Sequence, residues 1–309
     1  MEKIISTAGM NHTEWLRQRK RGIGGSDAGA VCGLNPYVSP IQVYLDKTSE
    51  EVTETDNEAM RQGRDLEDYV AQRFTEATGK KVRRANMIYG NRNYPFLFAN
   101  VDRLVVGENA GLECKTASAY SADKWKDGAI PPYYLIQCFH YMAVTNAEAW
   151  YLAVIILGKE FKYIRLERDE AMIKNLLAIE QDFWENHVVK RVMPEPDGSE
   201  ASEELIRQYF SKADFNKTVS LNGFDEKLER RMELEQLIKK LDQEKKQIEQ
   251  EVKVYMEDAE VAVSEVFTVS WKNILSSRLD AARLKEEHPD IYKQYEKQLS
   301  SRRFSIKAA

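Results

Sequence analysis

Two apolar runs, Phe96-Leu97-Phe98-Ala99-Asn100-Val101-Asp102 and Gly111-Leu112-Glu113-Cys114-Lys115-Thr116, flank the turn signal Gly107-Glu108-Asn109-Ala110-Gly111. Aromatic, aliphatic and β-branched residues on both sides of such a turn predict two strands that pair as a hairpin. Helical patterns precede and follow this hairpin in the sequence. A mixed α/β fold is therefore predicted for this part of the chain.

The paired strands would bring three charged side chains together. Because strand side chains alternate between faces, Glu113 and Lys115 share one face, whereas Cys114 points towards apolar packing. The hairpin would also place Asp102 beside Glu113. Mg²⁺ binds a few carboxylates together with water and substrate phosphate, and such a site supports metal-assisted phosphodiester hydrolysis. A solvated ion pair on an exposed strand is the alternative.

An amphipathic helix is predicted upstream, over residues 57–74. Its apolar face has a helical period and comprises Met60, Gly63, Leu66, Val70 and Phe74. Glu67, at the edge of this face, can lean towards the strands, and a solvated surface glutamate is the alternative. Gly63 weakens a helix, which suggests a close approach of backbone or substrate there.

A second helix is predicted downstream, over residues 133–144, and its nearly apolar sequence indicates burial on most sides. Gln137 and Tyr141 are four residues apart and share a face. An unpaired buried amide costs about 1–3 kcal/mol. Gln137 therefore needs a polar partner, which the carboxylate cluster or a bound phosphate would supply.

A basic, glycine-rich segment lies near the amino terminus, at residues 15–28. Ser26 is a favoured N-cap residue for a helix that follows. A helix start suits a phosphate, and Arg19 and Arg21 would add charge-assisted contacts. An ordinary capped helix after a basic turn is the alternative.

Together these motifs resemble the PD-(D/E)xK nuclease superfamily, and within it the phage recombination exonucleases of the YqaJ and lambda exonuclease group. The motif residues are Asp102, Glu113-x-Lys115, Glu67 before them and Gln137-x-x-x-Tyr141 after them. The segment 15–28 resembles the opening motif of YqaJ-like proteins, and the similarity spans roughly residues 10–195. Arg103 stands where lambda exonuclease-like members often carry glycine, a departure expected to touch no metal ligand.

The resemblance implies a restriction-endonuclease-like core, in which helices flank a central mixed sheet, and two Mg²⁺ or Mn²⁺ ions. Asp102, Glu113 and the backbone carbonyl of Cys114 would bind metal, and Glu67 would support the second ion. Lys115 would orient or deprotonate the attacking water, helped by nearby cations that lower its pKa.

The resemblance also assigns the remaining site residues. Gln137 would hold Lys115 or a water at the metal, with Tyr141 packed behind it. In the related exonucleases, residues that match Arg19 and Ser26 bind the 5′-phosphate of a DNA strand. By this analogy the amino-terminal segment would set the polarity of degradation.

The implied activity is 5′-to-3′ degradation of double-stranded DNA without ATP. It would leave 3′ single-stranded tails for a RecT-like annealing protein, in phage-type recombination by single-strand annealing. A trimer-like ring is the implied oligomer. An endonuclease of the same superfamily and a non-catalytic DNA-binding scaffold remain as alternatives.

Composition narrows the class of protein. The 309 residues are 43% hydrophobic and 31% charged, which is typical of a globular protein. Without a long apolar run or a secretory signal pattern, the expected compartment is the cytoplasm of a bacterial host, for a phage or prophage protein. Three spaced cysteines, Cys32, Cys114 and Cys138, argue against disulfides and against an iron–sulfur cluster.

The net charge of −5 conceals a division between acidic and basic segments. The basic clusters are residues 17–21, residues 80–84, and Lys124 with Lys126. They would line a groove for DNA or form solvated surface.

A proline-rich break at residues 194–199 marks a boundary between a YqaJ-like nuclease domain, 1–195, and a C-terminal region, 196–309. A charged helix with a leucine and isoleucine seam leads this region, either as an intramolecular arm or as a coiled coil. A strand near 267–271, a helix at 281–288 and a final strand at 302–306 are predicted to follow. Oligomerisation, partner binding or a DNA contact through Arg302, Arg303 and Lys307 is the hypothesis for this region.

Overall fold

The computed structural model of the chain describes residues 2–52, 57–214, 216–297 and 301–306. Its contacts divide the chain into two units, Met1–Ser211 and Lys212–Ala309. The first unit thus extends past the proline-rich break and includes the helix that follows it.

The strands and helices of the first unit alternate along the chain. The strands are β1 (Glu2–Ser6), β2 (Ile23–Gly24), β3 (Val82–Arg84), β4 (Met87–Gly90), β5 (Leu97–Asn100), β6 (Arg103–Val105), β7 (Ala110–Ala117), β8 (Ala149–Ile156) and β9 (Glu160–Glu167). The helices are α1 (His12–Lys20), α2 (Gly25–Val31), α3 (Pro40–Thr48), α4 (Glu58–Thr78), α5 (Pro132–Thr145), α6 (Glu170–Asp182) and α7 (Glu200–Tyr209). A 3₁₀ segment precedes α5 at Ala119–Gly128, and a π-helical turn follows α6 at Phe183–Val189.

Two mixed sheets form the frame of this unit. The larger has the order β3-β6-β7-β8-β9, and the smaller has the order β1-β4-β5-β2. In the larger sheet β7 and β8 are parallel and the other pairs are antiparallel. A parallel pair needs a crossover connection, which α5 supplies. The predicted mixed α/β class, with helices flanking a mixed sheet, is confirmed.

The two faces of the larger sheet are covered by different helices. Tyr151 and Ala153 of β8 pack with the buried residues of α4, whereas Trp150 and Leu152 pack in the cluster that contains α5. Cys114 of β7 also lies on the α4 side, as the alternation predicts. Glu113 and Lys115 consequently face α5.

Helix α4 confirms the upstream prediction, and its start and end have clear causes. The Asn57 side chain accepts a hydrogen bond from the backbone of Met60, and Gly79 ends the helix at φ +71°. The predicted apolar face is only partly buried. Val70 and Phe74 are inaccessible to solvent, whereas Met60 is 49% exposed because the buried cluster involves the second half of the helix.

The predicted hairpin forms, but not from the whole run that was expected to build it. Residues 97–100 form β5 in the smaller sheet, and the chain crosses to the larger sheet at Asp102. The strand that pairs with β7 is β6, and the turn between them contains Gly107 at φ +83°. Asp102 lies between β5 and β6 and belongs to neither strand. Its side chain accepts a hydrogen bond from the backbone amide of Cys114 in β7.

The second unit contains a long helix followed by short elements. These are α8 (Asp225–Met256), β10 (Val261–Val263), β11 (Thr268–Ser270), α9 (Ala281–Glu287) and α10 (Pro289–Tyr295). β10 and β11 pair with each other in a two-stranded sheet. The strand expected at 302–306 is wrong: described residues 301–306 form no strand, since none of the described strands pairs with them. Lys307 lies outside the described residues.

None of the helices in the described part of the chain is both long enough and apolar enough to span a bilayer.

Candidate active site

The candidate site lies where β6 begins beside β7. Asp102 Oδ2 accepts a hydrogen bond from the backbone amide of Cys114, at 2.8 Å. This contact fixes the Asp102 carboxylate next to Glu113, as the sequence predicted. The backbone of Cys114 therefore belongs to the site, while its buried side chain packs towards α4.

Glu113 is the centre of the cluster and is only 2% exposed. Its Oε1 atom accepts hydrogen bonds from Gln137 Nε2 at 2.7 Å and pairs with Lys115 Nζ at 2.6 Å. Its Oε2 atom is buried, and no N–H or O–H group of the described residues donates to it. A buried carboxylate oxygen without a partner is costly, so a ligand with positive charge would stabilise it.

Gln137 and Tyr141 share one face of α5, as predicted. Gln137 Nε2 also donates to Tyr141 Oη at 2.9 Å, so its amide nitrogen has two buried partners. The start of α2 packs on the Tyr141 ring so closely that a Cβ atom at Gly25 would lie 2.4 Å from Cε1. Because Tyr141 bonds to Gln137 and Gln137 bonds to Glu113, this contact connects the amino-terminal segment to the carboxylate cluster.

The structure adds Tyr134 to the site. Lys115 Nζ lies 4.8 Å from the centre of the Tyr134 ring, a cation–π contact. Tyr134 precedes Gln137 by three residues and therefore shares its helix face, which is the signal that the sequence offered.

Glu67 does not lie free at the site. Arg103, which is 4% exposed, donates from Nη1 to Glu67 Oε1 at 2.5 Å and to the carbonyl of Asp102 at 2.7 Å. The expectation that Arg103 touches no candidate metal ligand is wrong. The reason is that β6 starts immediately after Asp102, so the arginine is carried directly beneath α4.

Burial and mutual repulsion control the charges of the cluster. Burial, Glu113 and Glu67 raise the pKa of Asp102 well above its usual value. Burial likewise raises the pKa of Glu113, although Lys115 opposes the shift. Burial works against the charged form of Lys115, but Glu113 and Asp102 outweigh it and raise the pKa of the ammonium group. In the metal-free protein Lys115 is therefore held in its protonated form. The lowered pKa expected for Lys115 concerns the metal-bound site and stays a prediction.

Of the three predicted phosphate-binding residues, Arg19 and Ser26 contact each other, whereas Arg21 bonds to Gln18. Arg19 Nη2 donates to Ser26 Oγ at 2.6 Å, with the guanidinium group 4.7 Å from the centre of the Trp15 ring. Arg21 is exposed and bonds to Gln18 at 3.0 Å.

The expectation that Ser26 is the N-cap is wrong. The N-cap is Gly24, two residues before Ser26, so α2 begins at Gly25; the Gly24 backbone amide donates to Asp27 Oδ2 at 2.9 Å. Glycine permits this earlier start, and Asp27 takes the capping role in its place.

Lys47, a buried cation beneath this segment, was not predicted from the sequence. Its Nζ atom pairs with Asp27 at 2.7 Å and donates to the carbonyl of Arg19 at 3.1 Å. Burial raises the pKa of Asp27, but Lys47 and Arg19 outweigh it, so the pKa is lowered overall. Lys47 lies in α3, and its position in the sequence of that helix did not indicate a contact with Asp27.

The donor set fits a divalent cation in part. Asp102 and Glu113 offer the oxygen ligands that Mg²⁺ and Mn²⁺ prefer, and the unpartnered Glu113 Oε2 is an open position. Within the described residues, no group of three acidic, histidine or cysteine side chains forms a ready cation site. Glu67 pairs with Arg103, and Lys115 pairs with Glu113.

The fold places the chain among α/β proteins with the alkaline exonuclease architecture. Alkaline exonuclease LHK-Exo from Laribacter hongkongensis superposes with a TM-score of 0.50 at 20% identity, covering 58% of this chain and 93% of that chain. LHK-Exo in complex with dAMP gives a TM-score of 0.51 at 20% identity, covering 65% and 99%.

Sequence comparison gives the family. The YqaJ-like viral recombinase domain matches residues 14–148, a range that includes all predicted site residues. The uncharacterized protein YqaJ of Bacillus subtilis (strain 168) is 38% identical over 310 residues, which cover 99% of this chain and 97% of that protein. The chain belongs to the YqaJ-like viral recombinase family.

Proposed function

We propose that this protein is a metal-dependent DNA exonuclease that degrades double-stranded DNA from the 5′ end. The observation that carries the proposal is the buried, unpartnered Glu113 Oε2 atom, which lies in a cluster with Asp102 and Lys115. Family membership and the exonuclease-type fold support it.

Each residue of the cluster has a proposed role. Asp102, Glu113 and the carbonyl of Cys114 would hold Mg²⁺ or Mn²⁺, and Glu67 would serve a second ion. A divalent cation held by these residues would polarise the phosphodiester and lower the pKa of a bound water. Lys115 orients the attacking water or donates to the phosphate, and Tyr134 limits the positions of its ammonium group.

Gln137 keeps the acidic cluster in order. Its amide nitrogen holds Glu113 Oε1 through one hydrogen and Tyr141 Oη through the other. The second Glu113 oxygen is thereby directed away from the amide and stays available for a cation.

The proposed polarity rests on the amino-terminal segment. Arg19 and Ser26 would bind the terminal 5′-phosphate, as a charged fork and a hydroxyl suit a phosphate dianion. Lys47 and Asp27 hold the backbone and guanidinium of Arg19 from behind. The Gly25 contact with Tyr141 then keeps this pocket in register with the cluster.

We propose that the products are 3′ single-stranded tails for a RecT-like annealing protein in a bacterial host. Residues 1–195 would form the nuclease domain. The region 196–309 would serve oligomerisation, for example in a trimer-like ring, or partner binding. The seam of α8 supports this role, since Leu237, Ile238 and Leu241 are 48%, 59% and 64% exposed. Truncation after Ser211 tests it by light scattering and by pull-down of a RecT-like annealing protein; an oligomer of unchanged subunit number and unchanged capture would reject it.

Digestion of end-labelled DNA tests the nuclease proposal. Linear duplex with a 5′-phosphate, linear duplex with a 5′-hydroxyl and supercoiled plasmid are incubated with Mg²⁺ or with EDTA. We expect digestion of linear DNA only, faster with the 5′-phosphate and absent in EDTA. Cleavage of supercoiled plasmid would identify an endonuclease, and binding without cleavage of any substrate would identify a scaffold.

A further inference from the structure

Arg103 connects the two sides of the candidate active site through a single guanidinium group. It donates to Glu67 Oε1 from α4 and to the backbone carbonyl of Asp102 from the other side. It also pairs with Asp68, which Arg84 contacts from the solvent side. A guanidinium group presents its donors in a fixed planar fork, so these partners are held in fixed relative positions.

The Arg103 side chain is buried where it contacts Glu67. Its side chain is 5% exposed, whereas that of Arg84 is 58% exposed. Burying a cation is unfavourable unless its donors are paired, and removal of one partner leaves an uncompensated charge. Separating Arg103 from Glu67 would therefore be unfavourable, and the contact holds Glu67 in place.

From this geometry we infer that Arg103 is a positioning residue that fixes Glu67 for divalent-cation binding. The inference rests on the proposed function of the same site. The ion pair takes one oxygen of the Glu67 carboxylate, and a carboxylate has two. The same contact sets the position of Glu67 relative to Asp102, because the Nη1 atom of Arg103 bonds to both residues.

A competing interpretation makes the opposite prediction. If Arg103 merely competed with a cation for Glu67, its removal would tighten cation binding. If it positions Glu67, its removal weakens cation binding even when the positive charge is kept. Arg103→Lys keeps the charge and loses the fork, so it separates the two interpretations.

Calorimetric titration of Mn²⁺ into metal-free full-length protein, with electron paramagnetic resonance of free Mn²⁺, tests the inference. We expect Arg103→Lys and Arg103→Gln to weaken binding by about 10-fold or more, in the range for outer residues that orient metal ligands. Arg84→Gln, which removes an arginine of the same cluster without a hydrogen bond to Glu67, is the control and should change affinity by less than about twofold.

A double-mutant cycle distinguishes positioning from a general structural effect. Glu67→Gln alone should weaken Mn²⁺ binding as Arg103→Lys does, and the double variant should be no worse than either, because both act through one contact. Additive losses would overturn the inference, as would unchanged or tighter binding in folded Arg103 variants. Thermal unfolding in EDTA establishes folding, and Arg103→Lys carries the test where Arg103→Gln does not fold. Failure of the wild type to bind Mn²⁺ would instead reject the metal site itself.

Discussion

Gly25→Ala tests whether the amino-terminal segment and the carboxylate cluster are mechanically connected. The added Cβ atom would lie 2.4 Å from Tyr141 Cε1 and 2.7 Å from Cζ. Carbon atoms pack at about 3.5–4.0 Å, so the ring must withdraw by about 1 Å. Overpacking of this kind costs about 1–3 kcal/mol of folding stability.

The displaced ring would also disturb the site. Tyr141 Oη accepts the Gln137 hydrogen bond at 2.9 Å, and Gln137 holds Glu113 at 2.7 Å. A shift of about 1 Å breaks a bond of this length, so the rate of DNA digestion should fall about 10-fold, equivalent to about 1.4 kcal/mol in the barrier.

Urea denaturation and the initial rate of digestion of 5′-phosphorylated duplex measure the two effects of Gly25→Ala. Gly63→Ala is a matched control for stability, because its Cβ atom would meet only Thr116 Oγ1, at an ordinary 3.8 Å. This helical substitution should stabilise the protein by about 0.5–1 kcal/mol. A Gly25→Ala protein that unfolds at the wild-type urea concentration and digests DNA at the wild-type rate would show that the two regions are not connected in this way.

Three further predictions concern individual side chains. The raised pKa of Asp102 means that the folded protein binds the carboxyl proton more tightly than the unfolded chain does, so the stability that Asp102 contributes is lost as pH rises through the folded-state pKa. Metal-free Asp102→Asn should therefore be more stable than the wild type near pH 7. A lower urea midpoint for Asp102→Asn at that pH would contradict this prediction. Gln137→Leu should lower the free energy of unfolding by about 1–3 kcal/mol in urea denaturation, because Glu113 Oε1 and Tyr141 Oη each lose a buried donor. An unchanged urea midpoint would show that these two hydrogen bonds do not stabilise the protein. Arg19→Lys should lower the preference for 5′-phosphorylated over 5′-hydroxyl duplex by about 10-fold in paired digestions, since lysine lacks the planar fork, and Ser26→Ala should lower it in the same direction; equal preference in all three proteins would remove the pocket.

Local patterns predicted the elements that carry the site. The helical period of residues 57–74 and the apolar run of 133–144 correspond to α4 and α5. Strand alternation correctly separated Glu113 and Lys115 from Cys114. These features follow from side-chain periodicity within one element, which a sequence contains directly.

Features that depend on packing between elements were not predictable from the sequence. The crossing from one sheet to the other at Asp102 depends on which strands find partners, and a pattern of apolar residues does not contain that information. Arg103 and Lys47 are charged residues that periodicity assigns to the surface, yet both are buried because distant carboxylates compensate them. Lys47 pairs with Asp27, and Arg103 pairs with Glu67 and Asp68, all in other elements, so the spacing within one element gave no sign of these contacts.

We propose that Asp102, just before β6, and Glu113, in β7, hold the cations that catalyse DNA hydrolysis. The most direct test is the initial rate of nucleotide release from 5′-phosphorylated linear duplex in Mg²⁺ by the wild type, Asp102→Asn and the control Asp182→Asn, whose carboxylate lies exposed at the end of α6. As a proposed metal ligand, Asp102 would supply several kcal/mol of barrier lowering, so Asp102→Asn should be slower by about 1,000-fold and the control should match the wild type. Equal rates for the folded Asp102→Asn protein and the wild type would show that this carboxylate takes no part in DNA hydrolysis.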